Sequence, residues 1–206
     1  MPNASSVNIA ILAKVPIPGR TKTRLIPAIG AHAAAGLQER LTERAVETSV
    51  AADIGPVTLW CTPDLTYVSF QDLAARFPIV LKRQPDGDLG ARMLGAIAAN
   101  NGPTLVIGTD CPAMSPEHLR AAANALAETD VVLIPAEDGG YVLIGAPVAH
   151  PQLFVDIAWG TATVLDETRA RIAVLGLKAT ELPALWDLDT DADLARFEQM
   201  FPQMAL

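Results

Sequence analysis

Four cations and no acid precede Glu39: Lys14, Arg20, Lys22 and Arg24 all fall within residues 1–38. They are interleaved with Pro16, Pro18 and Gly19, directly after the apolar run Val7–Ala13. A solvated loop is the plain explanation of a basic cluster. A loop that turns beyond an apolar strand also presents backbone donors and cations to an anion. Arginine grips two phosphate oxygens at once, whereas lysine acts as a point charge. The segment is neither a Walker A loop nor a dinucleotide fingerprint, because it has one glycine. The expectation is a phosphate-binding loop whose ligand is a diphosphate.

The acids fall elsewhere. Asp110 stands just beyond the apolar run Thr104–Gly108, after Thr109, and precedes Cys111-Pro112. It could cap the next helix, but Ser115 is placed for that task. A carboxylate at a strand end opposite a basic loop suits a divalent cation that sits on a phosphate. A second acidic stretch runs from Asp187 through Leu188, Asp189, Thr190 and Asp191 to Asp193. In an extended chain Asp187 and Asp189 share one side, since side chains alternate. Asp191 and Asp193 are more simply favourable charges at a helix N-terminus. Asp189 is therefore the preferred second metal ligand, with Asp187 its rival.

Two glycine-bearing stretches complete the set. Gln84-Pro85-Asp86-Gly87-Asp88-Leu89-Gly90 enters a helix, where backbone amides and Gln84 could read a nucleobase edge. A plain loop-to-helix junction fits the composition equally. Asp138-Gly139-Gly140-Tyr141 lets backbone approach a ligand closely, and a tight hairpin turn accounts for its glycines as well. His32, His118 and His150 show no ligand spacing and read as surface or cap residues. Cys61 and Cys111 match no CxxC pattern, so neither a disulfide scaffold nor a zinc site is indicated.

Strands and helices alternate around these segments. Strands are expected at Val7–Ala13, Pro56–Cys61, Ile79–Lys82, Thr104–Gly108, Val131–Pro135, Tyr141–Gly145 and Ala179–Leu182. Helices are expected at Ala31–Ala52, Tyr67–Arg76, Leu89–Asn100, from Ser115 onwards, at Thr161–Leu175 and at Asp191–Met200, with Lys14–Ile29 as a loop. Such alternation predicts an α/β fold with a mostly parallel sheet, one late strand departing from that order. Ligands then bind at the carboxyl ends of the strands, where strand order reverses.

Composition bounds the remainder. The chain has 206 residues, half of them hydrophobic and 18% charged. That balance excludes intrinsic disorder. A single domain over 1–206 is expected. At this size it buries roughly 70% of the surface that its unfolded chain would expose. A net charge of −8 makes nucleic acid and anionic membranes poor partners. Val7–Ala13 is too short to span a bilayer and lacks the charged flank of a signal peptide. A cytoplasmic protein is the expectation.

In order, the chain carries AKxPxPGxxKTRL, QxxGDLGxRM, GTDCP, DGGYxLIG, WGT and DLDTxxDL. This series resembles the DUF2064 group of the GT-A glycosyltransferase superfamily, from Ile9 to Leu194. That group is related to the molybdenum-cofactor and sugar-nucleotide nucleotidyltransferases, and some members are labelled arsenosugar-biosynthesis glycosyltransferases. The resemblance implies a three-layer, Rossmann-like nucleotide-diphospho-sugar transferase fold. It implies that Asp110 is the superfamily's metal-binding acid, joined by Asp189 around Mg²⁺ or Mn²⁺. Ala13, Lys14, Gly19, Arg20, Lys22, Arg24 and Thr109 would hold the nucleotide phosphates. Gln84, Gly87, Asp88 and Gly90 would lie near the base. Asp138 would be the base that activates an acceptor hydroxyl, with Asp110 and Lys22 also catalytic. Gly139, Gly140, Tyr141, Trp159 and Thr161 would meet the sugar or a small-molecule acceptor. GTDCP stands where a strict DxD is the glycosyltransferase form, and it resembles the nucleotidyltransferase branch. Three readings follow: glycosyl transfer from a nucleoside-diphosphate sugar, nucleotidyl transfer with pyrophosphate leaving, and nucleotide binding without turnover.

Overall fold

Near-continuous apolar runs can lie only where both faces of a strand are covered. In the computed structural model, which describes residues 6–204, those runs form one seven-stranded sheet. The expected domain's two ends, residues 1–5 and 205–206, lie outside the described residues. The strands are β1 (Asn8–Lys14), β2 (Val57–Thr62), β3 (Ile79–Arg83), β4 (Thr104–Ile107), β5 (Val131–Pro135), β6 (Tyr141–Ala146) and β7 (Ala179–Glu181). Their order is β3-β2-β1-β4-β6-β5-β7. β6 runs antiparallel to both β4 and β5, and the other pairings are parallel. This is the late strand expected to depart from the parallel order.

The helices are α1 (Ile26–Ile29), α2 (Ala31–Ala52), α3 (Val68–Arg76), α4 (Leu89–Ala98), α5 (Pro116–Ala125), α6 (Val164–Val174) and α7 (Asp191–Met200). One face of the sheet buries Ile9, Ile11 and Leu105 against Val46 of α2, Phe70 of α3 and Leu119 of α5. The other buries Ala10, Val106 and Ile144 against Met93 and Ile97 of α4 and Leu165 of α6. Three layers result. Among the described residues, no helix is long and apolar enough to cross a membrane.

Most expected ends move by one or two residues, α4 for example ending at Ala98 rather than Asn100, and two larger shifts have physical reasons. The segment Lys14–Ile29 is not loop throughout: a 3₁₀ turn at Thr23–Leu25 leads into α1. Pro27 stands in the first turn of α1, where a missing N–H costs nothing. α6 begins at Val164 rather than Thr161. The Thr161 hydroxyl donates to the Ala158 carbonyl, and the Thr163 hydroxyl donates to Glu167, so these threonines build the preceding loop. His118 is a cap, as expected: its Nδ1 accepts from the Ser115 amide at 3.1 Å.

Candidate functional site

A third buried cluster decides where the site lies. Leu25, Leu37 and Leu41 pack with Trp186, Leu188, Leu194 and Phe197. Trp186 and Leu188 point inward, so the alternating chain turns Asp187 and Asp189 the other way, as the extended reading expected. Leu25 draws the basic loop to the same cluster. The carboxyl end of β4, beside β1, supplies Asp110, and the Leu188 amide donates to the Asp110 carbonyl at 2.8 Å. Strand order reverses between β1 and β4, which is the position expected for a ligand.

The loop itself is tightly built. Arg20 N–H donates to the Ile17 carbonyl at 3.0 Å across Pro18-Gly19. Gly19 has φ +81°. That is the left-handed conformation which the third position of a type II turn requires. The Thr21 hydroxyl accepts from the Ile17 amide at 3.0 Å, pinning the turn from inside. Beyond it Lys22 adopts φ 47°, ψ 46°, and its side chain turns inward to 5% exposure. Its Nζ lies 2.5 Å from Asp110 Oδ1, 2.9 Å from Asp189 Oδ1 and 2.5 Å from the Leu188 carbonyl. Burial alone would lower the affinity of Nζ for its proton. The charges of Asp110 and Asp189 outweigh it and hold the pKa above the ordinary lysine value. Lys22 is thus paired with the two candidate metal ligands, whereas Lys14, Arg20 and Arg24 remain exposed.

Two adjoining clefts meet at Asp110 and Asp189. The smaller, about 300 Å³, is lined by Lys14, Arg20, Lys22, Arg24 and Thr109 among others. The larger, about 530 Å³, contains Asp138, Gly140, Tyr141, Trp159, Thr161 and Asp187, with Leu89, Met93 and Val106 as apolar wall. Of the four loop cations only Arg24 also lines it. Burial first, then the charges of Asp110, Asp138 and Asp189, pushes the Asp187 carboxyl up to about 7. Burial likewise holds the Cys111 thiol up at about 12, so it is no nucleophile at neutral pH.

Several expected residues serve the scaffold. Gln84 lines neither cleft: its amide group is engaged by the carbonyls of Ala13 and Trp60, each at 2.8 Å. Its Oε1 accepts from Arg92 at 3.2 Å. Gln84 thereby ties β1, β2 and α4 together. Asp88 accepts from the Ala91 amide at 2.8 Å. It thereby caps α4, satisfying a donor that the first helical turn leaves free. Gly87 takes φ +117° in the turn before that cap. Gly90 lies under Trp159, where an added Cβ would sit 2.7 Å from the ring. The Thr109 hydroxyl accepts from Gln38 of α2 at 2.8 Å. Gly139, at φ +91°, lies against the carbonyl of Ala162. Asp138 Oδ1 accepts from the Gly140 amide at 2.9 Å, leaving the residue exposed at the cleft rim.

Sequence reading missed Thr21 and Glu167. Glu167 accepts from the Ala158 amide and the Thr163 hydroxyl, each at 2.7 Å, and so holds the Trp159 loop in place. A Thr four residues before a Glu at a helix start was the available signal.

An ammonium flanked by two carboxylates and a carbonyl marks a cation position, and its donors are the hard oxygens that Mg²⁺ or Mn²⁺ prefers. Among the described residues no cluster of three or more His, Cys, Asp or Glu forms a ready-made cage. Two carboxylates still fit, because Mg²⁺ is usually held by one or two of them plus phosphates and water.

The family described as "uncharacterized protein conserved in bacteria (DUF2064)" matches residues 45–161, more than half of the sequence. The chain belongs to DUF2064. No curated protein matches it. A candidate nucleotide-diphospho-sugar transferase from Desulfovibrio desulfuricans G20 is similar over 98% of this chain and 99% of its own, at 26% identity and a TM-score of 0.82. A nucleotidyl transferase from Methanothermobacter is 16% identical, with a TM-score of 0.68, over 97% and 99% of the two chains. The 4-diphosphocytidyl-2C-methyl-D-erythritol synthase of Anaerococcus prevotii DSM 20548 is 11% identical, with a TM-score of 0.64, over 98% and 100%. These last two likenesses establish the fold of the DUF2064 chain.

Proposed function

We propose that this DUF2064 protein is a nucleotide-utilising transferase, and within that class a metal-dependent glycosyltransferase with a nucleoside-diphosphate sugar donor. The names carried by its structural relatives support the class. One observation supports the finer reading: all four loop cations line the small cleft, while the large cleft beyond Asp110 and Asp189 has only Arg24 of them and is otherwise walled by acids, small polar groups and apolar side chains. A diphosphate suits the first. An uncharged hydroxyl acceptor suits the second better than the phosphorylated partner that nucleotidyl transfer requires.

In this reading Lys14, Arg20 and Lys22 neutralise the diphosphate as its bond to the sugar breaks. Asp110 and Asp189 would hold Mg²⁺ or Mn²⁺, and the ion would supply electrostatic stabilisation of the leaving phosphate. Trp159 and Tyr141 wall the sugar and acceptor. The acceptor oxygen bonds to the anomeric carbon, and its proton passes to the Asp138 carboxylate.

The test does not need the natural acceptor. Incubation with Mn²⁺ and a panel of nucleotide sugars should release nucleoside diphosphate slowly, with water as acceptor, and Asp110→Asn should abolish the release. Pyrophosphate formed from a nucleoside triphosphate and a sugar phosphate, with no nucleoside diphosphate from any sugar donor, would establish nucleotidyl transfer instead. Nucleotide binding with neither product would leave a binding module.

A further inference from the structure

A buried ammonium is stable only beside partners that replace its water. Lys22 has three: its Nζ donates to Asp189 Oδ1 and to the Leu188 carbonyl, and it lies 2.5 Å from Asp110 Oδ1 as an ion pair. The backbone takes a left-handed conformation to put it there, an arrangement that costs a non-glycine residue free energy. The neighbouring cations behave differently: Arg24, 72% exposed, comes no nearer to Asp189 than 3.9 Å. A divalent ion cannot bridge Asp110 and Asp189 while Nζ stands between their oxygens. A lysine side chain, however, is flexible and can exchange carboxylate partners for phosphate oxygens.

We propose that Lys22 is a placeholder: its ammonium occupies the cation position between Asp110 and Asp189 in the ligand-free chain, and an arriving diphosphate draws it off. Metal and diphosphate then bind as one unit. The inference rests on the metal-binding reading of those two acids. A metal alone must compete with a tethered cation and binds weakly. A diphosphate gives Lys22 a new anionic partner and vacates the carboxylates, so each ligand strengthens the other by the same factor. The protein is thereby spared from sequestering free metal before its substrate is present.

The experiment follows free Mn²⁺ by electron paramagnetic resonance as it is titrated with wild type, Lys22→Met and Lys22→Gln, without nucleotide. Asp110 and Asp189 are 47% and 44% exposed, so both acids keep water when the ammonium is removed. Circular dichroism melts confirm that each variant is folded, and Lys22→Gln retains a polar head should Lys22→Met not fold. Either folded variant should bind Mn²⁺ at least about tenfold tighter than wild type, because a fixed positive charge has left the site. Inorganic pyrophosphate should tighten Mn²⁺ binding by wild type, beyond the Mn²⁺ that pyrophosphate holds by itself, and tighten it less in the variants. Equal, measurable Mn²⁺ affinity in wild type and the folded variants overturns the placeholder and leaves the metal site standing. Mn²⁺ bound by none of the three, even with pyrophosphate, overturns both.

Discussion

The Leu188 amide and the Asp110 carbonyl meet at 2.8 Å, joining the end of β4 to the segment that enters α7. Two carboxylates that are distant in the chain are thereby fixed backbone to backbone, before any ligand arrives. Leu188, fully buried, anchors that contact from below. A site with this foundation needs no cofactor to assemble its acids.

Arg20 lies on the exposed crest of the basic loop and has no part in the buried cluster. Exposed cations contribute little to stability, so Arg20→Ala should leave the melting temperature nearly unchanged. It should weaken Mn²⁺-supported nucleotide binding by about 10- to 100-fold, the worth of one charged hydrogen bond. Calorimetric titration alongside a melt checks both. Unchanged affinity would return the crest to solvent exposure alone.

Asp187 makes stability fall with rising pH. Its carboxyl titrates near 3.8 when unfolded and at about 7 when folded. Between those values the native state binds more protons than the unfolded state, so the slope of stability with pH is negative there. Asp187→Asn should remove that decline and stabilise the metal-free protein by on the order of 2–4 kcal/mol at about pH 8. Melts from about pH 4 to 8 span that window and decide it. Parallel curves for wild type and variant would refute the assignment.

Gly139 and Gly140 should respond unequally to alanine. A Cβ at Gly139 would sit 2.2 Å from the Ala162 carbonyl oxygen in a left-handed backbone, whereas at Gly140 it would meet only Asp138 Oδ1, at 3.3 Å. Gly139→Ala should cost about 2–3 kcal/mol and Gly140→Ala less than about 1 kcal/mol, by urea denaturation. Similar costs at the two positions would mean that the turn does not press on the Trp159 loop.

Gln84→Ala should act on stability rather than on base preference. It strips hydrogen bonds from the Ala13 and Trp60 carbonyls in a buried place. Leaving them unpaired should cost about 1–3 kcal/mol. Nucleotides with different bases should keep their relative affinities. A reordered base preference without destabilisation would restore the reading of Gln84 as a base contact.

Local chemistry was legible along the chain. Apolar runs too dense for one-sided strands announced a covered parallel sheet, and Gly139-Gly140 announced the reversal into an antiparallel β6. The alternation from Trp186 to Asp189 placed both acids on one side, because backbone geometry alone imposes it. What side chains do at long range was not legible. Gln84 looked as fit for a ligand as for a carbonyl, and only the meeting of β1 with β2 supplied the carbonyls of Ala13 and Trp60. Lys22 looked like its three neighbouring cations. It parts from them because Leu25 and Leu188 share one buried cluster, which carries the basic loop onto Asp110 and Asp189. Partner choice for a charge depends on distance through folded space, and that distance exists only once the hydrophobic cores have closed.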